Sequence, residues 1–284
     1  MRVCAQIHRV ISDFPALGER FSITREIGRG GAAVVYQAQD RVLDREVAIK
    51  LLTAETSAAL GRDRFEQEIR LTSRLVHPNI VPLFDSGAFD EQMFYVMPFI
   101  DGDTLRSRLK REGLFSADER TAIAIDIAEA LAYSHGMGLV HRDIKPENIF
   151  FYHGRAMLAD FGIAKRADLT QAGSLTATGT FVGTLAYISP EQAQSCETVD
   201  GRADLYSLGC VLFELLTGDP PYAGPTMMAF LSQHMAAPVP HLRWKCSNCC
   251  EREREVPNRC LRQSSRECRT TIPGSTTRDS TLIP

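Results

Sequence analysis

The sequence predicts an α+β fold with two lobes, a small antiparallel β-sheet lobe followed by a larger and mainly helical lobe. Residues 21–52 contain three short stretches, FSITREIG, AVVYQAQD and REVAIKLL, in which apolar and polar residues alternate as they do in half-buried strands. From residue 116 the apolar residues recur at helical spacing instead. Strands followed by helices are typical of the α+β class, and we expect the lobes to divide near residue 100.

A change of period marks a helix within the β-rich lobe. The apolar residues of 62–76 fall near one face of a helix, and Pro78 follows shortly after it. This face consists of Phe65, Ile69, Thr72 and Val76. Two further strands are expected at 80–85 and 93–99.

The second lobe is expected to begin with a capped helix. Ser116 and Glu119 have the spacing of a capping box, and a buried stripe follows that ends before Gly136. The stripe consists of Ile123, Ile127, Ala130 and Leu131. A second strong helix is expected from about Asp204 to Leu216, where a glycine and two prolines stop it.

Composition and charge exclude several classes of function. The chain has 284 residues, of which 44% are hydrophobic, and this is enough for a substantial core. A formal net charge of -3 argues against broad binding to nucleic acid or to anionic membranes, which normally requires a basic surplus. The sequence has no apolar run of 18 residues and no secretory signal, so we expect a cytoplasmic protein without a membrane segment.

Glycines between the first two predicted strands indicate a phosphate site. In IGRGGAAVVY the residues without a Cβ let the backbone approach a phosphate closely, and a simple glycine-containing hairpin is the alternative. Lys50 follows on a later strand, where alternation places it on the same face as Ala48. A small apolar residue beside a cation suits the base and phosphates of a nucleotide. The alternative for Lys50 is a solvated residue at a strand end.

A lysine beneath apolar residues requires a counter-charge, and the helix at 62–76 offers two glutamates. Glu68 borders the apolar face next to Ile69, whereas Glu66 points about 160° away from that face. We therefore favour Glu68 as the partner of Lys50, with a solvated helix glutamate as the alternative.

The densest polar chemistry lies in the stretch HRDIKPENIFFYHGRAMLADFG. His141, Arg142, Asp143 and Asn148 form the pattern H-R-D-x-x-x-x-N, and D-F-G follows at Asp160. With a lysine strand of the form V-A-I-K upstream, the two blocks at this spacing are the motif set of protein kinases.

On these motifs the chain resembles the eukaryotic-type serine/threonine protein kinases, most closely the bacterial branch. The resemblance implies a two-lobed protein-kinase-like fold. The expected domains are an N-terminal extension at 1–20, a catalytic domain at 21–243 with lobes 21–100 and 101–243, and an irregular Cys/Arg/Ser-rich tail at 244–284.

The resemblance also assigns chemical roles. Asp143 would accept or orient the proton of the substrate hydroxyl, and Lys145 would stabilise the transferred phosphoryl group. Asn148 and Asp160 would hold magnesium, because hard oxygen ligands suit a hard cation. Lys50 would bind the α- and β-phosphates and be held by the helix glutamate.

The nucleotide is expected between the glycine turn and the segment VMPFIDGD, which resembles the hinge between kinase lobes. Met97 would be the gatekeeper. Pro98 has no N–H to donate, so the backbone of Ile100 would serve the adenine, and Asp103 would meet the ribose. The residues expected at the nucleotide are Ile27, Gly28, Gly30, Gly31, Val35, Ala48, Lys50, Met97, Pro98, Ile100 and Asp103.

A long threonine-rich loop follows the D-F-G motif, and such loops in compact domains are usually functional or disordered. Kinases with an arginine at the position of Arg142 tend to be switched by a phosphate in this loop. Thr176 and Thr178 are the candidates for that phosphorylation, with merely solvated threonines as the alternative. Thr184 resembles the residue that hydrogen-bonds the catalytic Asp and Lys. Asp204 resembles the residue that anchors the catalytic-loop backbone, with an N-cap as its alternative.

The resemblance implies ATP- and Mg²⁺-dependent phosphorylation of Ser and Thr hydroxyls on proteins. Mn²⁺ is the substitute metal, and autophosphorylation of the threonine-rich loop through self-association is the expected regulation. The alternative from another class is a nucleotide-binding or scaffold protein, catalytically impaired because its helical lobe is truncated. A small-molecule kinase is disfavoured by the long loop ending in SPE.

Two departures from the family pattern stand out. Ala33 replaces the third glycine of G-x-G-x-x-G, which we expect to weaken nucleotide binding only slightly. After PVPHLR the family pattern gives way to a segment rich in Cys, Arg and Ser. This segment supplies no arginine partner for Glu191, and its composition indicates a shifted reading frame. The alternative is a zinc site, disfavoured because only its first cysteine pair has C-x-x-C spacing. Its ligands would be Cys246, Cys249, Cys260 and Cys268.

Overall fold

Five antiparallel strands form the first lobe in a computed structural model that describes residues 19–89, 92–161, 185–194, 196 and 199–241. The strands pair in the order β1-β2-β3-β5-β4. Their bounds are β1 Phe21–Arg29, β2 Ala33–Asp40, β3 Arg45–Leu52, β4 Asp85–Phe89 and β5 Gln92–Pro98. Apolar side chains alternate toward two hydrophobic clusters, one on each face of this sheet.

Two short helices lie between β3 and β4, namely α1 (Ala54–Leu60) and α2 (Arg62–Thr72). Phe65, Ile69 and Thr72 of α2 are buried, as their spacing predicts. The helix ends earlier than expected, and Val76 lies beyond it with 80% of its surface exposed. The expected strand at 80–85 is also wrong, because β4 begins only at residue 85.

The residues before β4 connect the two lobes instead of forming a strand. The Val81 N–H donates to the carbonyl of Leu158 at 2.9 Å, and the Leu158 N–H donates to the carbonyl of Asn79 at 2.8 Å. The Asn79 amide also donates to the carbonyl of Ala156 at 2.8 Å. The backbone N–H of Val81, which the sequence analysis assigned to the first sheet, is therefore satisfied by the second lobe.

Helices and one short hairpin form the second lobe around a large hydrophobic cluster. The elements are α3 Leu105–Glu112, α4 Ala117–Gly136, a 3₁₀ turn Pro146–Asn148, β6 Ile149–Tyr152, β7 Arg155–Leu158, α5 Pro190–Ala193, α6 Gly201–Thr217 and α7 Met227–Ala236. The predicted two-lobed α+β fold is confirmed. Within the part of the chain that the structure describes, no helix is both long enough and apolar enough to traverse a lipid bilayer.

Both predicted helices of this lobe have the expected end signals. Ser116 and Glu119 form both hydrogen bonds of a capping box at the start of α4. Helix α6 starts slightly earlier than predicted, with Asp200 as its N-cap, and it ends at Gly218, whose φ of 87° is left-handed. Asp204 is therefore not the N-cap, and its buried carboxylate has a different role.

The chain divides into two units, Met1–Arg243 and Trp244–Pro284, and all the described residues belong to the first unit. The expected extension at 1–20 lies almost entirely outside the described residues. The tail at 244–284 and the cysteines of the alternative zinc site lie wholly outside them. The proposed domain boundaries therefore stay predictions.

Candidate active site

The loop between α4 and β6 is anchored from below by Asp204 of α6. This carboxylate is fully buried and accepts the backbone N–H of His141 at 2.8 Å and that of Arg142 at 2.7 Å. His135 of α4 contacts it as well, with 2.8 Å from Nε2 to Oδ2. Arg142 has a left-handed φ of 67°, an uncommon conformation for a residue with a Cβ. The anchor that the resemblance assigned to Asp204 is present.

His141 fixes the loop to the strand that follows it. Its Nε2 lies 2.9 Å from the carbonyl of Ala159, and its Nδ1 lies 3.2 Å from the N–H of Asp143. A carbonyl can only accept and an N–H can only donate, so the ring is neutral with its proton on Nε2. Complete burial lowers the pKa of His141 against the opposing charges of nearby aspartates, which agrees with a neutral ring.

Asp143 is held by residues of its own loop. The Lys145 ammonium lies 2.9 Å from Asp143 Oδ2. The Asn148 amide donates to the same oxygen at 3.0 Å and to the backbone carbonyl of Asp143 at 2.8 Å. Because the amide nitrogen of Asn148 faces Asp143, its carbonyl oxygen faces the opposite side and can serve as a ligand.

Asp160 is held by two strands of the first lobe. Lys50 Nζ of β3 lies 2.8 Å from Asp160 Oδ2, and the Tyr95 hydroxyl of β5 donates to Asp160 Oδ1 at 3.0 Å. Burial raises the pKa of Asp160, but the charge of Lys50 and the hydrogen bonds from both side chains outweigh burial, so the net shift is downward. Burial and the charge of Asp160 hold the pKa of Tyr95 well above its usual value.

The two aspartates belong to one site. The Ala159 N–H, next to Asp160, donates to the carbonyl of Asn148 at 2.9 Å. The rings of His141 and Phe161 lie 4.6 Å apart between centroids. The charge of Asp143 is near enough to raise the pKa of the Asp160 carboxyl, although the net shift of Asp160 is downward. These contacts bring the group of Asp143, Lys145 and Asn148 next to the pair of Lys50 and Asp160.

Lys50 makes an ion pair with Asp160 that the sequence analysis did not predict. The strand register places Lys50 opposite Tyr95, whose hydroxyl also reaches Asp160. The pairing of Lys50 with Glu68 stays a prediction. Glu68 is half-buried, as expected for the glutamate that borders the apolar face of α2. Glu66 is exposed and lies near two arginines of its own helix.

Tyr95 is a site residue that the sequence analysis missed. A usable signal was present, because strand alternation places Tyr95 on the same face of β5 as Met97, which was assigned to the nucleotide. A tyrosine at a buried strand position generally needs a partner for its hydroxyl. That partner, Asp160, lies 65 residues away along the chain, so the sequence did not identify it.

Packing within the turn between β1 and β2 does not require its residues to be glycines. The Gly30 N–H donates to the Ala33 carbonyl at 2.9 Å and closes the turn. A Cβ added at Gly28 or at Gly30 would meet its nearest neighbour only at 3.9 Å, which is ordinary contact. The absence of side chains here is therefore explained better by the approach of a ligand than by the hairpin itself.

The strand register brings most predicted nucleotide residues together. Val35 pairs with Lys50, and Ala48 pairs with Met97. The four residues occupy neighbouring positions on three strands, β2, β3 and β5, next to the glycine turn. Gly31 belongs to that turn as well. Ile27 lies on β1 with 37% of its surface exposed.

The hinge segment follows β5, which ends at Pro98. The carbonyl of Ile100 accepts the N–H of Gly102 at 3.0 Å, so one of its two lone pairs is used within the segment. Asp103 accepts from both Nη atoms of Arg111, at 2.9 and 2.7 Å, and from Ser107 Oγ at 3.0 Å. The hydrogen bonds from Arg111 and Ser107 lower the pKa of Asp103. A ribose at this position would have to share Asp103 with Arg111.

Several predicted residues lie outside the described part of the chain. They are Gly162, Thr176, Thr178 and Thr184. Their assigned roles stay predictions.

The oxygen donors of the site fit magnesium. Asn148 offers an amide oxygen and Asp160 a carboxylate, and Mg²⁺ is usually bound through one or two protein oxygens together with water and substrate phosphates. Within the described ranges no group of three or more His, Cys, Asp or Glu side chains could form a complete metal cage. A metal held jointly by protein and nucleotide is therefore the arrangement these residues suit.

The fold and the site define a two-lobed protein in which a lysine, an asparagine and two aspartates lie in neighbouring networks of contacts. The family model for the protein kinase domain matches residues 21–276, which runs past Arg243, where the sequence resemblance was placed to end. The chain belongs to the protein kinase domain family.

Curated relatives in this family are bacterial serine/threonine-protein kinases. PknH of Mycobacterium tuberculosis is 42% identical over 222 residues, which cover 78% of this chain and 35% of PknH. PknB of Mycolicibacterium smegmatis is 40% identical over 238 residues, which cover 80% of this chain and 37% of PknB. The chain thus spans little more than a third of the length of these relatives.

Solved structures show the same fold. The kinase domain of PknI from Mycobacterium tuberculosis has a TM-score of 0.59 at 30% identity, and the match covers 77% of this chain and 89% of that domain. Rad53 residues 1–466 in complex with AMP-PNP have a TM-score of 0.63 at 29% identity, covering 76% of this chain and 53% of Rad53.

Proposed function

We propose that this chain is a serine/threonine protein kinase that transfers the γ-phosphate of ATP, with Mg²⁺ or Mn²⁺, to Ser and Thr hydroxyls of proteins. The single observation that carries the proposal is the convergence of Asp143, Lys145 and Asn148 with the Lys50–Asp160 pair on one pocket. The bound AMP-PNP in the Rad53 structure and the names of the curated relatives support the choice of ATP and of protein substrates.

The chain's own residues supply position and countercharge for phosphoryl transfer. Asp143 orients the substrate hydroxyl and accepts its proton, while Lys145, 2.9 Å from Asp143 Oδ2, offers an ammonium to the transferred phosphoryl group. Asn148 and Asp160 would hold the metal, which when bound neutralises charge on the phosphate oxygens. Lys50 would bind the α- and β-phosphates, which compete with Asp160 for its ammonium.

Regulation is proposed to act through the threonine-rich loop. Autophosphorylation at Thr176 or Thr178, with a second copy of the chain as enzyme, would give the guanidinium of Arg142 a phosphate partner. Thr184 would hydrogen-bond the catalytic Asp143 and Lys145. A cytoplasmic location remains part of the proposal.

A specific observation favours the second candidate, a nucleotide-binding or scaffold protein with impaired turnover. Active protein kinases require an ion pair between the β3 lysine and the glutamate of the helix that follows. In this structure the ammonium of Lys50 contacts the carboxylate of Asp160. The second candidate predicts that ATP binds without reorganising this pair into a productive arrangement.

One experiment separates the two candidates. Purified chain is incubated with γ-labelled ATP, Mg²⁺ and a Ser/Thr-containing protein substrate, alongside Asp143→Asn. We expect incorporation by the parent and a loss of at least about a hundredfold in the variant, because the proton acceptor is removed. A thermal melt should show the same stabilisation of both proteins by ATP and Mg²⁺. Stabilisation without incorporation in either protein would favour the second candidate.

A further inference from the structure

Arg106 of α3 joins three separate segments of the helical lobe. Its Nε lies 2.7 Å from Glu147 Oε1 in the 3₁₀ turn, and its Nη1 lies 2.6 Å from Glu214 Oε1 of α6. Its Nη2 also donates to the hydroxyl of Tyr187, in the segment that leads into α5. The planar guanidinium of Arg106 thus donates hydrogen bonds to a helix, a turn and a loop at once.

The interior end of this cluster is firmly fixed. Glu214 is only 3% exposed, and it also accepts from the Tyr187 hydroxyl at 2.5 Å. Burial opposes the charge of Arg106, but Glu214 and Glu147 outweigh burial and raise its pKa, so it stays a cation. Burial and the charge of Glu214 raise the pKa of Tyr187, which therefore stays a hydrogen-bond donor. A half-buried guanidinium with these partners has little freedom to move.

The outer end of the cluster lies on the catalytic loop. Glu147 stands between Lys145 and Asn148, the two residues that hold the carboxylate of Asp143. Its other contacts do not explain its place, because among the described residues Oε2 of Glu147 has no hydrogen-bond partner. Through Arg106 the carboxylate of Glu147 is joined to Glu214 in the interior of the lobe.

We propose that Arg106 is a positioning residue that acts through Glu147 to hold the Asp143–Asn148 loop in register with α6. The inference rests on the proposed kinase function for its catalytic consequence, but its structural consequence can be measured without turnover. Arg106 touches neither nucleotide nor substrate in this scheme. Its effect is on where Lys145 and Asn148 place the carboxylate of Asp143.

The chain offers a matched control on the same helix. Arg108 of α3 pairs with Glu112 at 2.7 Å, the same distance as Arg106 to Glu147. The side chains of the two glutamates are similarly exposed, 36% for Glu112 and 42% for Glu147. Only Glu147 belongs to the catalytic loop, so the pair of variants separates positioning from the loss of a surface ion pair.

The experiment compares Glu147→Ala with Glu112→Ala and leaves Arg106 in place, because removing Arg106 would leave Glu214 buried without its counter-charge. We expect Glu147→Ala to lower kcat about tenfold or more, since small displacements of catalytic groups have effects of this size, with the KM for ATP and the thermal midpoint nearly unchanged. Glu147→Gln keeps an acceptor for Arg106 and should recover much of kcat. Glu112→Ala should match the parent.

A second readout does not depend on activity. Amide hydrogen exchange over residues 142–149 should be faster in Glu147→Ala than in the parent and unchanged in Glu112→Ala. If the parent shows no phosphotransfer, the proposed function fails while this measurement still decides the role of Arg106. Equal exchange in all three proteins, or a kinetic effect confined to the KM for the protein substrate, would overturn the positioning role.

Discussion

Asp143 and Asp160 are both half-buried carboxylates of the candidate active site, yet different parts of the chain hold them. Among the contacts described between residues of this structure, Asp143 is held by Lys145 and Asn148, within five residues of itself. Asp160 receives its contacts from Lys50 and Tyr95, which belong to strands of the other lobe. One carboxylate is oriented by its own loop and the other by the approach of the two lobes.

This difference indicates that the contacts of Asp160 depend on the closure of the two lobes. Asp143 and Lys145 form a local unit within one loop of the helical lobe. Asp160 and Lys50 form a unit between the lobes, because their contact requires that the sheet and the helical lobe meet. Binding of nucleotide between the lobes should therefore rearrange the contacts of Asp160 more than those of Asp143.

The largest loss of stability is expected from a substitution of Asp204, which anchors the loop that contains Asp143. In Asp204→Asn a single side-chain oxygen replaces two acceptors, so one of the buried N–H groups of His141 and Arg142 loses its partner. We expect the free energy of unfolding to fall by about 3 kcal/mol, measured by urea titration. Asp200→Asn is the control, because Asp200 is the exposed N-cap of the same helix and Asn caps equally well. Similar losses in both variants would refute the anchoring role.

The sequence predicts the local unit far better than the unit between lobes. Asp143, Lys145 and Asn148 lie in one motif, and their mutual contacts follow from short spacing. Helix ends were predictable for the same reason, since the capping box at Ser116 and the glycine at residue 218 act locally. The anchoring role of Asp204 required the family resemblance, because its partners lie more than 60 residues away.

Contacts across long sequence separations were predicted less well. The ion pair of Lys50 with Asp160, which lies 110 residues further along the chain, was not predicted from the sequence. The residues at 80–85 have the pattern of a strand, but the backbone N–H of Val81 bonds to β7 of the other lobe while that of Phe84 bonds to β5. A pattern of apolar residues shows that a segment is buried and does not show which element covers it.

A smaller effect is expected for the contact between lobes at Tyr95. Tyr95→Phe removes only the hydroxyl that donates to Asp160, and Lys50 still holds the other oxygen. A hydrogen bond to a charged group contributes about 1.5 kcal/mol, so we expect a loss of that size in urea unfolding. Tyr152→Phe, at a position 48% exposed, is the control and should change stability little. The comparison would fail if both substitutions had equal effects.

The smallest effect is expected from the pH dependence of His141, which contacts both units through Asp143 and Ala159. Burial lowers the pKa of His141 in the folded protein, whereas the unfolded chain has a histidine pKa of about 6.5. Below that pH the unfolded chain binds the additional proton, so the stability contributed by His141 is present above about pH 6.5 and is lost as the pH falls. Asp160, with its lowered pKa, loses its contribution only near and below the unfolded carboxyl value of about 3.9.

Urea unfolding of the parent and His141→Gln at pH 7.5, 6.5 and 5.5 isolates this contribution. Glutamine keeps a donor and an acceptor but does not titrate, so the variant should lose less stability between pH 6.5 and 5.5 than the parent. Burial also lowers the pKa of His234, but that residue is present in both proteins and its effect cancels in the difference. Equal slopes would mean that His141 takes up a proton in the folded state. In that case its Nδ1 could no longer accept the N–H of Asp143, and the connection between the two units would be lost.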